Sequence, residues 1–306
     1  MKKVFITTGI LLSLLFQIGN SFAQDYQFDP PWNTPPQSKV MFTIPGIDNV
    51  PDLYGDINDP QLVIFFAGNQ FMCIDDLISA FKQKFPQYKR VFAETLPPGI
   101  LAKQIDGGSL TIGNMRITLQ PDVYTAGKGR MDKMANYFSD TATYAFNELA
   151  IMTQKGNPKN IKSLKDLARK DILVSMPNPA WEGIGRLIEE AYKKTGGVDL
   201  ENTIMKTKVK NSTTYLTQIH HRQTPMRILY AQSDAGPVWY SEAFYQKMIG
   251  HPVELVSIPG NENIKATYVA GKLRKAPHPQ AGKDFLEFLT SNKAKEIYRK
   301  YGFTTP

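Results

Sequence analysis

The chain has 306 residues, a formal charge of +8, one cysteine and four histidines. Its 42% of hydrophobic residues suffice for one large or two medium domains with real cores. The basic residues lie beside acidic ones along the chain and form no long Lys/Arg run, so we expect no nucleic-acid partner. A single cysteine, Cys73, excludes an intramolecular disulfide.

The first 23 residues have the pattern of a secretory signal peptide. Lys2 and Lys3 precede an apolar stretch from Val4 to Ile18, and Ser21-Phe22-Ala23 is a small-x-small cleavage pattern. We expect cleavage after Ala23, which lowers the formal charge from +8 to +6, and a periplasmic mature protein. The apolar stretch is shorter than the roughly 20 residues of a spanning helix, and no cysteine follows the cleavage site to accept a lipid.

Residues 24–60 are rich in proline and aspartate without a sustained hydrophobic period, so we expect an extended arm. Leu62–Phe66 is then typical of a strand buried on both faces. The helix that follows is indicated by apolar residues three and four apart: Leu77, Ile78, Phe81 and Phe85. The junction Ala67–Gln70 would point unpaired N–H groups at an anion or carbonyl oxygen beyond the strand, although an ordinary junction that binds nothing remains the alternative.

From residue 61 onward, predicted strands alternate with predicted helices, which implies parallel sheets covered by helices. The extended segments are Arg90–Glu94, the strand end Asp122–Thr125, Asn147–Thr153, Asp171–Met176, Ala235–Trp239, Val253–Ile258 and Ala266–Ala270. The helical segments are Ile100–Ile105, Lys128–Tyr137, Ser163–Leu167, Gly183–Thr195, Pro225–Gln232, Ser241–Met248 and Pro279–Tyr298.

Two polar groups precede predicted helices in the second half of the chain. His220-His221-Arg222 precedes Thr224, and Trp181-Glu182 precedes Gly183. Arginine offers a planar fork of donors for a carboxylate or oxyanion, and tryptophan offers an apolar or π face. These groups suit a small organic anion or a complexed oxyanion, while a surface strand edge and a packing tryptophan remain the alternatives.

Four segments in order resemble the periplasmic solute-binding proteins of ABC importers, in particular their molybdate-binding-like branch. They are the opening strand-turn-helix with Thr95–Ile105, then Pro121–Thr125, then Lys155–Pro158 with Ile161–Leu167, and finally Ser233–Val238 with Pro279–Phe303. The likeness covers about residues 61–306. It implies a type II periplasmic binding fold, in which two α/β lobes with mixed, mainly parallel sheets are joined by a two-strand hinge.

The resemblance also implies a division of the chain. Lobe I would comprise residues 61–146 and 264–306, and lobe II residues 147–263. The chain would cross between the lobes near Ala145–Leu149 and Asn261–Lys265. Loops of both lobes would converge on one ligand in the cleft, with no catalytic residue, no cofactor and no resident metal.

The candidate ligand-binding residues are Asn69, Gln70, Gly99, Ile100, Tyr124 and Thr125 in the first lobe and Trp181, Glu182, Gly183, His221, Arg222 and Thr224 in the second. Molybdate binders of this branch use serine hydroxyls and backbone N–H groups in the first two loops. This chain has Asn69-Gln70 and Pro97-Pro98 at those places, and a proline has no N–H to donate. We therefore expect a small anion other than plain molybdate, delivered by a monomeric protein to a cognate ABC permease in the inner membrane.

The hypothesis of an anion-binding protein for an ABC importer can be compared with three other classes of protein. A metal-binding periplasmic module would use His220 and His221, but adjacent side chains share one ion only in a loop, because in a strand they point to opposite faces. A ligand-presenting sensor would bind the same kind of ligand. An enzyme is not expected, since the chain has no G-x-S-x-G, no H-E-x-x-H and no paired Cys-His signature.

Overall fold

The computed structural model of the chain describes residues 52–112, 115–180, 182–218 and 221–306. The strands are β1 (Leu53–Gly55), β2 (Leu62–Phe65), β3 (Val91–Glu94), β4 (Leu110–Ile112), β5 (Met115–Ile117), β6 (Val123–Gly127), β7 (Phe138–Gln154), β8 (Val174–Met176), β9 (Thr214–Leu216), β10 (Ala235–Trp239), β11 (Val253–Ser257) and β12 (Lys265–Leu273). The α-helices are α1 (Ile74–Lys84), α2 (Pro98–Gly107), α3 (Lys128–Lys133), α4 (Gly183–Asn202), α5 (Lys208–Lys210), α6 (Gln223–Leu229), α7 (Tyr240–Met248), α8 (Pro279–Leu289) and α9 (Asn292–Lys300).

The first lobe is built on strands in the order β1-β3-β2-β6-β12-β7. Strands β3, β2 and β6 are parallel, whereas β1, β12 and β7 add antiparallel pairs. Side chains on both faces of this sheet are buried, which explains why the sequence of β2 is a continuous apolar run. Helices α1, α8 and α9 contribute to the core on one face and α2 to the core on the other.

The second lobe is built on strands in the order β11-β7-β10-β8-β9. Strands β10, β8 and β9 are parallel, and β7 is antiparallel to both of its neighbours. Helix α4 packs on one face of this sheet, and helices α6 and α7 pack on the other. Both lobes therefore present the carboxyl ends of parallel strands, followed by loops, which is where α/β proteins hold ligands.

Strand β7 belongs to both sheets. Its first part, Phe138–Glu148, pairs with β12, and its last part, Leu149–Gln154, pairs with β10 and β11. At the join, the side-chain amide of Asn263 accepts from Leu149 N at 3.0 Å and donates to Leu149 O at 2.9 Å. This amide fastens the second crossing of the chain to the first, where the sequence predicts both crossings.

The junction after β2 is anchored by a buried network of amides and phenols. The Gln70 amide donates to the hydroxyl of Tyr144 and accepts from the hydroxyl of Tyr298 at 3.0 Å. The Asn69 amide donates to the hydroxyl of Tyr268 at 2.5 Å. Residues Gly68–Cys73 form a 3-10 helix, and all of them are buried. These buried hydrogen bonds therefore hold the backbone of the junction in place from the core side.

Several elements differ from the sequence prediction. The arm predicted for residues 24–60 contributes β1, an edge strand that pairs with β3. The predicted last helix is two helices, because Ser291 caps α9 by accepting from Ala294 N at 3.3 Å. Helix α4 continues beyond Thr195 through a kink at Gly196-Gly197, where Gly197 has a φ of 72°. The segment Asp122–Thr125, predicted as a strand end, instead contains the start of β6 at Val123.

Glu94 is a carboxyl group enclosed in the first lobe. Its Oε1 accepts from Gln104 Nε2 at 3.0 Å, while its Oε2 and Gln104 Oε1 have no hydrogen-bond partner. Burial raises the pKa of Glu94 to about 7, although the Gln104 hydrogen bond lowers it. In its neutral form Glu94 has a hydroxyl donor, and burial of an unpartnered carboxyl oxygen favours this form over the carboxylate.

None of the helices within the described part of the chain combines the length and the apolar character that crossing a bilayer requires.

We expect Gln70→Ala to lower the free energy of unfolding by about 3 kcal/mol, because two buried tyrosine hydroxyls lose a partner. Urea denaturation without any ligand measures this effect. Gln83→Ala, on the exposed face of α1, is the matched control and should stay within about 0.5 kcal/mol of the wild type. A Gln70→Ala variant as stable as the control would contradict a structural role for this amide.

Glu94→Gln tests the pKa of the buried carboxyl group. Because the pKa of Glu94 is about 7 in the folded protein and 4.5 in the unfolded chain, ionisation destabilises the fold as the pH rises between these values. The variant should match the wild type near pH 4 and exceed its free energy of unfolding by about 3 kcal/mol at pH 8. Urea denaturation across this range measures the difference, and exposed Glu287→Gln is the control. A difference that does not change with pH would refute the raised pKa.

Candidate ligand-binding site

Two glycines let the second-lobe loops approach each other closely. A Cβ at Gly185 would lie 2.6 Å from the carbonyl oxygen of Pro177, so the start of α4 can rest directly on the loop after β8. A Cβ at Gly236 would lie 2.4 Å from Thr224 Cγ2, so α6 can rest directly on β10. These contacts bring Glu182 and the residues before α6 to the same edge of the sheet, where they line one cavity.

The acid–histidine cluster, formed by Glu182, His221 and Glu242, lies at this place. His221 Nδ1 forms an ion pair with Glu242 Oε1, and both side chains are almost completely buried. Glu182 Oε1 accepts from the hydroxyl of Thr217 and from Asn178 N, the latter at 3.3 Å. His221 itself has a φ of 55°, in the left-handed region that histidine tolerates better than most residues.

Charge and burial act against each other in this cluster. Burial alone would lower the pKa of His221, but the carboxylates of Glu242 and Glu182 outweigh it, so the pKa of His221 is raised. Burial also raises the pKa of Glu182, although the charge of His221 opposes this rise. The cluster thus favours an imidazolium held by two carboxyl groups.

The cavity at the cluster is small. Its volume is about 10 Å³, which is room for one water molecule. Its polar lining comes from Glu182, Thr217, His221, Thr224 and Glu242. Thr224 Oγ1 is also within 3.0 Å of Ser175 Oγ. In this conformation the second lobe alone encloses the cavity, which has space for a single small polar group beside the cluster.

Arg222 points out of the cluster toward the first lobe. Its Nη2 forms an ion pair with Asp52 Oδ1, and the Asp52 backbone accepts from Thr95 N at 2.8 Å. Burial raises the pKa of Asp52, although the charge of Arg222 opposes this rise. A carboxylate tied to the second loop of one lobe therefore binds an arginine of the other lobe.

The predicted first-lobe residues fall into two groups. The side chains of Asn69 and Gln70 are directed into the buried network, and Thr125 Oγ1 accepts from Ala67 N at 3.0 Å. The three side chains support the first junction from inside. These side chains are therefore not available to a ligand, and backbone groups are what this junction has left to offer.

The second group surrounds the start of α2. Tyr124 is fully buried, and its hydroxyl donates to the carbonyl oxygen of Pro98 at 2.7 Å. Ile100 is 41% exposed, and a Cβ at Gly99 would lie 3.3 Å from Arg130 Nη2. The tyrosine thus holds the loop, while Ile100 and Arg130 form its outer surface.

The structure brings Glu182, Gly183, His221, Arg222 and Thr224 together. The first-lobe network lies near them, because the ring of Tyr268 meets that of Trp239 at 6.1 Å and Trp239 N donates to Glu242. Gly99, Ile100 and Tyr124 lie at the separate edge formed by α2. Trp181 and His220 are outside the described residues.

Sequence reasoning missed four residues of this region: Asp52, Thr217, Glu242 and Tyr268. Glu242 was the easiest of the four to find from the sequence, because it is the third residue of α7, directly after β10. The other candidate residues also lie where a strand is followed by a helix. Glu242 accepts from Trp239 N at 3.3 Å and so caps the helix. Asp52 lies in the proline-rich segment and offers no local signal.

Comparison with known proteins gives the chain a family. Residues 62–304 match the model of the bacterial extracellular solute-binding proteins. The molybdate-binding protein ModA of Mycobacterium tuberculosis is 25% identical over 191 residues, which are 60% of this chain. The match spans 66% of that relative's own length, slightly less than two thirds.

Solved structures share the fold. The periplasmic molybdate-binding protein of Azotobacter vinelandii matches with a TM-score of 0.64 at 15% identity, over 80% of this chain and 99% of that one. The sulfate-binding protein SubI of Mycobacterium tuberculosis matches with a TM-score of 0.64 at 18% identity, over 79% and 85% of the two chains. These likenesses show the two-lobed type II periplasmic binding fold. With a family model that covers residues 62–304, the chain belongs to the bacterial extracellular solute-binding proteins.

Proposed function

We propose that this protein captures a small anion in the cleft between its lobes and delivers it to an ABC permease in the inner membrane. The relatives are a molybdate-binding and a sulfate-binding protein, which supports an anionic ligand. The chain's own residues support it as well, since the second lobe presents Arg222 and a His221 whose pKa is raised.

The ion pair between Arg222 and Asp52 is the observation that carries this proposal. In this pair the Arg222 guanidinium donates to the carboxylate of Asp52, which directly precedes β1 at the edge of the first-lobe sheet. An incoming anion offers Arg222 the same kind of oxygen in the same place. On this proposal a ligand displaces Asp52 from Arg222 and takes over its ion pair.

Closure supports the same function. We assign residues 61–146 and 264–306 to lobe I and 147–263 to lobe II, with the division at the Asn263 brace on β7. The rings of Phe71 and Tyr245 meet edge to face at 5.8 Å across the lobes. A hinge at the brace would open the cleft and separate both this pair and the Asp52–Arg222 pair.

The setting follows from the signal-like segment at residues 1–23. Cleavage after Ala23 would release a monomeric periplasmic protein that has no enzymatic activity and no nucleic-acid partner. The ligand-binding residues on this proposal are the loop backbone at Asn69-Gln70, the α2 start at Gly99-Ile100, and Glu182, His221, Arg222 and Thr224. Tyr124 and Thr125 act by positioning these loops.

The metal-binding alternative has no support in the described part of the chain. Within residues 52–306, apart from the five undescribed positions, no group of three or more His, Cys, Asp or Glu side chains is arranged to hold a metal ion. Two carboxylates surround His221, and its Nδ1 is already paired with Glu242. The sensor alternative differs from transport in the partner and leaves the ligand site unchanged.

A thermal-shift screen of the purified protein tests the function. The compounds are molybdate, tungstate, sulfate, phosphate, small carboxylates and divalent metals. We expect one class of anion to raise the melting temperature, because a ligand that binds the folded state alone stabilises it. The proposal fails if zinc raises the melting temperature while every anion leaves it unchanged.

Arg222→Ala should weaken binding of that anion at least tenfold, as the loss of a charge-assisted hydrogen bond of roughly 1.5–3 kcal/mol implies. Isothermal titration calorimetry measures the affinity. Arg116→Ala removes an exposed arginine that contacts Ser109 and is the matched control, with unchanged affinity expected. Equal affinities for the two variants would remove Arg222 from the site.

A further inference from the structure

The cations of the site are outnumbered by carboxylates. Arg222 and His221 face Asp52, Glu182 and Glu242, so the group carries one negative charge in excess when all five are ionised. Among the described residues, no other cation is seen to act on Asp52 or Glu182. An anion that reaches Arg222 therefore meets fixed carboxylate oxygens as well as positive charge.

A bare oxyanion and a protonated one respond differently to such oxygens. Every oxygen of sulfate or molybdate is an acceptor, and an acceptor placed against a carboxylate is repelled. A hydroxyl, an ammonium group or a protonated phosphate oxygen donates a hydrogen bond to the same carboxylate, and such charge-assisted bonds are strong.

The two glutamates keep acceptor capacity for such a donor. A carboxylate has about four acceptor positions. Glu182 uses its Oε1 for Thr217 and Asn178. Glu242 uses its Oε2 for Trp239 N and its Oε1 for the ion pair with His221, so the Oε2 of Glu182 is the oxygen with the most remaining capacity. Glu182 is 5% exposed and Glu242 is 3% exposed. Because the surrounding residues hold both side chains, their oxygens are in place before a ligand arrives.

The cavity between these glutamates matches the size of a donor group. Its volume of about 10 Å³ admits one water molecule, and a hydroxyl or ammonium group is of similar size. The anionic end of a ligand can replace Asp52 at Arg222, while its donor group occupies the cavity. Sites that hydrogen-bond a ligand hydroxyl reject analogues without it strongly, because their own polar groups are then left unpaired.

We infer that the site selects anions that carry their own hydrogen-bond donor, such as hydroxy acids, amino acids or protonated oxyanions, over bare oxyanions such as sulfate and molybdate. This inference rests on the proposed capture of an anion and names the class of that anion. On this inference, Glu182 and Glu242 accept the hydrogen bond that the ligand's own donor group offers.

Two pairs of probes of similar shape test this selection by isothermal titration calorimetry on the full protein. Hydrogen phosphate is compared with sulfate, and lactate with propanoate. The donor-bearing member of each pair should bind at least tenfold more tightly. If both pairs bind with equal affinities within each pair, the selection is wrong while anion capture stands, and if no anion binds, both the selection and the proposed function fail.

Glu182→Gln identifies the group responsible. Its amide oxygen can still accept from Thr217, while its N–H₂ replaces a carboxylate oxygen, so the preference should fall at least tenfold, with tighter sulfate binding. Exposed Glu287→Gln is the matched control and should keep the wild-type preference. Melting curves without ligand check that both variants fold. An unchanged preference in a folded Glu182→Gln variant would overturn the role of Glu182.

Discussion

The architecture depends on one strand that belongs to two sheets. Because β7 runs for 17 residues through both lobes, neither sheet is complete without it. Backbone hydrogen bonds hold each lobe to its half of this strand, and the amide of Asn263 holds the second crossing to the backbone at Leu149. We therefore expect motion between the lobes to be confined to a few residues near this brace, so that the loops on either side meet in a narrow range of geometries.

Much of this fold could be predicted from the sequence. The continuous apolar run of β2 and the alternation of strands and helices follow from local hydrophobic pattern, and the two-lobed fold follows from the family resemblance. Strand β1 could not be predicted, because its three residues lie among prolines and aspartates and become a strand only by pairing with β3. The break before α9 depends on the cap at Ser291, a signal that the surrounding helical spacing concealed.

The site was predictable in part. His221, Arg222 and Glu182 were predicted as ligand-binding residues, because their side chains are polar or charged and they directly precede predicted helices. Their partners could not be found in this way, because Asp52 lies 170 residues from Arg222 and no local pattern joins them. The sequence also cannot show that the amides of Asn69 and Gln70 are turned inward, since a polar side chain at a junction suits a ligand and a buried tyrosine hydroxyl equally well. The tyrosines that receive these amides appear in the sequence as ordinary core residues.

One contact at the hinge gives the molecule an optical property. The ring of Trp239, at the end of β10, meets the ring of Tyr268, in β12, at 6.1 Å. Trp239 is buried here, and it is the tryptophan that the described part of the chain contains. Since β10 belongs to the second lobe and this part of β12 to the first, a change in the angle between the lobes alters the surroundings of this indole. We expect the share of Trp239 in the emission of the chain's three tryptophans to change as the lobes open and close, which needs no attached dye.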